Sequence, residues 1–349
     1  MYRIGNYGGF NVFEPAPASV PQVRGQVEMQ IRRNREFLNG ETSSFELPMR
    51  ISGSFICAHA PDYVGVPTLD WNENRWLELF ADMRLSGIDT VVWQASVWNE
   101  LKEVYYDSKY FASYRRWRAV EPMLAAARTR NMRVFLGGYG SVVGWSQDLD
   151  DHAVRHEIDS QLACMRELLA YRDLFDGIYF SPETAFRGTR DRAREQRLNH
   201  LYRHYFSAVK KLAPEKELLM SPASKFYPGM EHDFEECWLT LLEQVPLDIL
   251  APQDSVGCSG CALSEQPQMW RCWHHAAGAL GIRLWANIEL FERREFGGAT
   301  PFNAAAPERV AAQIRHVAPW VSKCLCWEYP YFAGNAPGGT ELRHKIFRP

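Results

Sequence analysis

The chain has 349 residues, 46% of them hydrophobic, and a formal net charge of −3. That length suits one α/β barrel with extended loops, and the hydrophobic share excludes a disordered chain. The near-balanced charge excludes a protein that binds nucleic acid through a basic surface, and no run reaches the roughly 18 apolar residues of a membrane span.

Residues 1–50 hold several prolines and little periodicity, with one helical stretch at 26–38 on which Val27, Ile31 and Phe37 face roughly one way. This part is an N-terminal extension. The opening MYRIGNYGGFNVFEPAP has neither a charged start nor a continuous apolar run, so it does not read as a signal peptide, and a cytoplasmic protein is expected. The 8 cysteines lack the dense, regular spacing of a stapled domain and are expected to be reduced.

From Ile51 onward short apolar runs alternate with amphipathic stretches, the pattern of repeated βα units around a parallel sheet. Eight strands are expected. They are 50–57 (RISGSFIC), 90–94 (TVVWQ), 133–137 (RVFLG), 177–181 (GIYFS), 217–221 (ELLMS), 248–252 (DILAP), 283–287 (RLWAN) and 323–327 (KCLCW). Helical spacing lies between them, as in Trp76, Phe80 and Met83, or Leu198, Leu201, Tyr205 and Val209. Gly87 and Asn131 stand where helices would end in a left-handed residue, and Pro307 stands where one would start. SGSFICAH after the first strand is not the glycine fingerprint of an open dinucleotide-binding sheet. The expectation is a single-domain (β/α)8 TIM barrel over 51–333, with a tail at 334–349. That tail, rich in Gly and Pro, reads as too short for a closing helix, so the helix at 26–38 is expected to cover the gap.

Function in such barrels gathers where strands end at the C-terminal face. Those ends carry His59, Gln94, Trp98, Tyr139, Trp145, Glu183, Lys225, Gln253, Asp254, Asn287, Glu289, Trp327 and Glu328. Carboxylates among amides, an imidazole and aromatic rings fit hydrolysis of a sugar acetal: one acid protonates the leaving oxygen while another attacks or activates water. The chain also has 12 Trp and 15 Tyr, whose faces can stack on sugar rings.

Glu183 after the fourth strand and Glu289 after the seventh would face each other across the mouth, with Glu183 as general acid/base and Glu289 as nucleophile in a retaining reaction. Asp254 is the substitute for the second role. A carboxylate after a strand often only caps the next helix, and Glu289 precedes a charged run that could form a surface network.

The segments GIDTVVWQ, NMRVFLGG, FDGIYFSPETAF, LDILAPQDSVG and RLWANIE resemble a glycoside-hydrolase-like barrel family catalogued as a domain of unknown function, over residues from about 51 to 333. The resemblance implies a (β/α)8 fold and action on carbohydrate, and it carries a strand-four glutamate onto Glu183 and a sixth-strand pair onto Gln253 and Asp254. Pro182 departs from retaining barrels that place Asn before the strand-four acid.

Other signals are weaker. Cys258, Cys261, Cys272 and His274 match no common zinc spacing. The glycines of LGGYGS, FGGAT and APGGT lack a P-loop lysine, and Ser221 with His275 forms no recognisable triad order. No metal or organic cofactor is required. Two alternatives stay open: a non-catalytic carbohydrate-binding barrel, and a metal-dependent barrel isomerase or hydrolase using Glu183, Asp254 and His59.

Overall fold

The computed structural model describes residues 2–7, 10–14, 20–40, 45–60, 65–146, 149–293 and 302–347. Eight parallel strands alternate with eight helices: β1 (Ile51–Ile56), α1 (Glu73–Leu85), β2 (Thr90–Trp93), α2 (Val120–Thr129), β3 (Arg133–Gly137), α3 (Asp151–Leu168), β4 (Gly177–Phe180) and α4 (Arg192–Leu212). The second half repeats the unit as β5 (Glu217–Met220), α5 (Glu231–Leu242), β6 (Ile249–Leu250), α6 (Gln266–Leu280), β7 (in two pieces, Arg283–Leu284 and Ala286–Glu289), α7 (Pro307–Val317), β8 (Cys324–Trp327) and α8 (Gly339–Ile346). Seven strands fall inside the runs expected from sequence, and β7 outruns its own as far as Glu289.

The ring closes through β7. Its first piece pairs with β6 and its second with β8, and β8 pairs in turn with β1. The change of partner occurs at Trp285, whose N–H donates to Leu250 O at 2.8 Å, while the next N–H, of Ala286, donates to Lys323 O at 2.9 Å. No strand edge is left open around this ring.

Side chains fill the barrel in layers. Near the start of the strands Arg133 lies over the rings of Phe135 and Trp285, and Glu217 pairs with both Arg133 and Arg283. One layer up, Phe55 of β1 meets Tyr179 of β4 edge to face at 5.2 Å. These two rings form the floor on which the mouth is built.

Local chemistry sets the helix boundaries. Asn72, Asp150 and Asp191 cap α1, α3 and α4 by accepting the N–H three residues on. Gly87 and Asn131 adopt positive φ of 83° and 51°, and Pro307 opens α7.

Two expectations need correction. The stretch 334–349 contains α8, which occupies the eighth helix position: Lys345 pairs with Glu308 of α7 at 3.2 Å, and Arg343 pairs with Asp82 of α1. Only Leu342 and Ile346 mark its buried side, too brief a pattern to register in sequence. The N-terminal helix, Val20–Asn39, therefore does not plug that gap. It lies by the sixth loop, where Asn34 Oδ1 accepts the Leu263 N–H at 2.9 Å and the Phe37 ring meets His316 of α7 at 5.6 Å. A hairpin of Tyr2–Tyr7 with Phe10–Glu14 precedes it.

The loop between β2 and α2 folds into a feature that sequence periodicity did not show. Val97–Trp98, Glu103–Val104 and Arg115–Arg116 form a small sheet with Tyr139–Gly140 from the loop after β3. This sheet raises one wall of the mouth and carries Trp98 on it.

Candidate functional site

Two-residue alternation along β4 and its continuation sends Tyr179, Ser181 and Glu183 to one side, into the barrel mouth. All three line a hollow that opens to solvent. Phe55 and Tyr179 form its floor, and the indoles of Trp98, Trp145 and Trp327 wall it. Gln94, Gln253 and Asn287 place amides around Glu183.

Glu183 is the carboxylate of this lining. Its Oε2 accepts the Trp145 indole N–H at 3.0 Å, and its Oε1 accepts an amide N–H of Gln253. Gln253 also donates to Ser221 O at 3.4 Å, which holds its amide between the two strand ends. Both partners of Glu183 are neutral. Burial pushes its carboxyl up to about 7, against the opposing pull of the Gln253 and Trp145 donors.

Among the described residues, Gln94 Oε1, Trp98 Nε1, Ser181 Oγ and Asn287 Oδ1 of the lining are buried without a hydrogen-bond partner. Buried polar atoms are ordinarily satisfied. A ring of donors and acceptors around one hollow, floored and walled by aromatic faces, matches a molecule with several hydroxyls and an apolar face.

Of the residues expected at the site, the structure brings Gln94, Trp98, Trp145, Glu183, Gln253, Asn287 and Trp327 to this hollow. Phe55, Tyr179, Ser181, Ser141 and Val142 join them. Strand alternation would have found Ser181, which shares the face of Glu183.

The other candidates lie elsewhere. His59 and Glu328 are both buried and meet at 3.2 Å; Glu328 also accepts the Cys57 N–H at 2.8 Å. They stitch the first loop to the end of β8. Tyr139 is buried against Phe111, stacked at 5.5 Å, and Lys225 is exposed on the fifth loop.

Glu289 and Asp254, expected as the partner acids, turn away from the hollow. Glu289 is 2% exposed and its Oε2 accepts the Cys258 N–H at 2.8 Å. The sixth loop folds over it so closely that a Cβ on Gly257 would lie 3.0 Å from that oxygen. Asp254 is fully buried; its Oδ1 accepts the N–H groups of Glu289 at 3.2 Å and Val256 at 3.4 Å, and its Oδ2 accepts from Gln313. Arg309 donates to the main-chain oxygens of Glu289 and Phe291 beside them. Burial pushes both acids up, and the Asp254 charge adds to the rise of Glu289. Both carboxyls accept main-chain N–H groups where β6 and β7 end. Neither His59 nor Asp254 lines the hollow that holds Glu183, and among the described residues no group of three or more His, Cys, Asp and Glu could hold a metal ion.

The family model described as Domain of unknown function (DUF4434) matches residues 51–340, the barrel up to the first two residues of α8. The chain belongs to this family. No curated protein matches this DUF4434 chain, but solved structures share its fold. A Bacteroides thetaiotaomicron VPI-5482 protein, provisionally described as an alpha-L-fucosidase, is 20% identical with a TM-score of 0.69, covering 86% of this chain and 92% of its own. A GH113 beta-1,4-mannanase is 12% identical with a TM-score of 0.54, covering 85% and 99%. An endo-1,4-beta-mannanase from Rhizomucor miehei is 10% identical with a TM-score of 0.51, covering 81% and 87%. The DUF4434 chain thus has a barrel fold shared with proteins named as glycoside hydrolases. No helix among its described residues is long and apolar enough to cross a membrane.

One further carboxylate supports the DUF4434 mouth from behind. Glu157 of α3 is 4% exposed and accepts from Ser141 Oγ at 2.8 Å and Gln161 at 2.9 Å. Burial pushes it up to about 7, above its value in an unfolded chain. Its neutral form is therefore favoured by folding, a contribution present in full below about pH 4.5 and lost as pH rises through about 7. Glu157→Gln, which keeps both hydrogen bonds, is expected to flatten the fall in melting temperature between pH 5 and pH 8. Thermal melts at stepped pH measure this, and an unchanged slope counts against it.

Proposed function

We propose that the chain is a glycoside hydrolase in which Glu183 gives a proton to the oxygen of a glycosidic bond at the barrel mouth. One observation carries the reading: Glu183 is a carboxyl poised near neutrality, held by two neutral N–H donors, in a hollow of indoles, amides and unpartnered polar atoms. The names of the fold relatives add support for a carbohydrate as the ligand.

Chemically, the indole faces seat the sugar ring and the amides and Ser181 meet its hydroxyls. The two N–H donors fix the Glu183 carboxyl, and its proton passes to the departing oxygen as the bond to the anomeric carbon breaks; a water entering from the open mouth adds to that carbon and gives up a proton, which returns Glu183 to its acid form. Retention through Glu289 or Asp254 as nucleophile is not part of this proposal, because both carboxyls are occupied by main-chain N–H groups under the sixth loop.

Release of reducing ends from a panel of oligosaccharides is the direct test. A general acid must carry its proton into the reaction, so kcat/KM is expected to fall about tenfold per pH unit above about pH 7. A rate that keeps rising through pH 9 would remove Glu183 from the acid role.

The second reading is a carbohydrate-binding barrel without catalysis. It is favoured by the presence of a single carboxylate in the lining among the described residues. Tight glycan binding with no bond cleaved across the panel would establish it.

A further inference from the structure

Glu183 takes one hydrogen bond from Gln253 at the end of β6 and the other from Trp145, which sits on the loop after β3. A strand end is fixed by the barrel, whereas a loop must be held by something else. Three consecutive carbonyls of this loop are gripped from the segment after β4. Gly144 O accepts from Arg194 and from Thr184 Oγ1, the latter at 3.3 Å. Trp145 O accepts from Arg187 Nη2 at 2.9 Å, and Ser146 O accepts from the same nitrogen at 2.7 Å. Contact is close enough that a Cβ on Gly144 would lie 2.1 Å from Glu183 O, so only glycine fits there.

Arg194 is buried at the start of α4, and its removal threatens the fold. Arg187 is half-buried, four residues after Glu183, and does not line the hollow. Its bonds go to the carbonyl of Trp145 itself and to the next one along the main chain, that of Ser146. We propose that Arg187 is a positioning residue for Glu183, acting through Trp145: its grip on the Trp145 and Ser146 carbonyls keeps the indole N–H on the carboxylate. The catalytic meaning of this device rests on the reading of Glu183 as the acid, but its physical content can be measured without turnover.

The groups around Glu183 are few. Tyr179 faces it from β4. Glu100 stands behind the wall, accepting the Val142 N–H at 3.0 Å, and Glu157 stands behind Ser141 on α3. Arg187 and Arg194 flank it from the segment after β4 and from α4, and β6 contributes the neutral Gln253. All but Arg187 are kept in the variants below; because Arg187→Met also removes a positive charge, the double variant is what assigns the shift to the bond from Trp145, since a charge effect would add to that of Trp145→Phe.

The test follows the carboxyl of Glu183 by carbon-13 NMR through a pH titration, with Glu183→Gln identifying the signal. Trp145→Phe keeps the ring and removes the donor; Arg187→Met removes the grip. A hydrogen bond to a charged acceptor is strong enough that each variant is expected to raise the midpoint by about one pH unit. The double variant is expected to show no shift beyond either single one, because both remove the same bond. Arg187→Lys, which can still donate to a carbonyl, should return the midpoint toward the wild-type value.

A wild-type midpoint in Arg187→Met, with only the melting temperature lowered, would leave Arg187 a merely structural residue and overturn the proposal. So would shifts that add in the double variant. Should Arg187→Met fail to fold, Arg187→Leu, which likewise has no donor for the carbonyls, is read in the same way, with the same two outcomes. If the shifts occur in a chain that hydrolyses nothing, the positioning stands and the proposed activity falls.

Discussion

Glu183→Gln is expected to lower turnover by about a hundredfold to ten-thousandfold, the range supplied by a positioned proton donor, while leaving glycan affinity near its original value. The amide matches the carboxyl in shape and keeps an oxygen that can accept from Trp145 or Gln253, so the walls of the hollow stay as they are. What it lacks is a proton acidic enough to give away. Initial rates on the best substrate of the panel, with binding followed by tryptophan fluorescence, separate the two effects. Full activity in the folded variant would remove the central residue of the proposal. Loss of binding with no change in the rate at saturation would make Glu183 a sugar-binding group.

The second large effect is on stability. Asp254→Ala is expected to cost about 3 kcal/mol or more, because it leaves the N–H groups of Glu289 and Val256 and the amide of Gln313 buried without their acceptor. Denaturant unfolding measures this, and turnover per folded molecule should fall far less than in Glu183→Gln. The opposite pattern, an unchanged unfolding midpoint with activity abolished, would return Asp254 to the catalytic role first expected from its position after β6.

The two effects show how far the sequence could be read. Strands were legible because each is a short apolar run between polar turns, and the turns at Gly87 and Asn131 were legible because left-handed residues favour those side chains. The small sheet that carries Trp98 was not, since its pieces are two residues long and have no period to detect. Neither was α8, whose two turns offer too few apolar positions.

At the mouth, reading strand ends gathered residues that border the hollow together with others that do not, and could not sort them. Asn287 and Glu289 share one face of β7, yet Asn287 opens on the hollow and Glu289 is roofed by the loop that brings Cys258 onto it. That roof joins residues 31 positions apart in the chain, and nothing local to either segment encodes it. Likewise Tyr139, aromatic and at a strand end, is drawn into packing with Phe111 from the previous loop. Glu183 was legible because its own strand aims it.

The hand-over at Trp285 has a bearing on how the chain reaches its final form. Until β7 and β8 arrive, β6 and β1 present unpaired main-chain edges to water, and neither can be sealed by the other. A ribosome adds about 5–20 residues per second, so a nascent chain spends seconds as an incomplete cylinder with sticky rims. Chaperone dependence and aggregation during expression should therefore respond to substitutions around residue 285 more than to changes of equal energetic weight elsewhere in the cylinder.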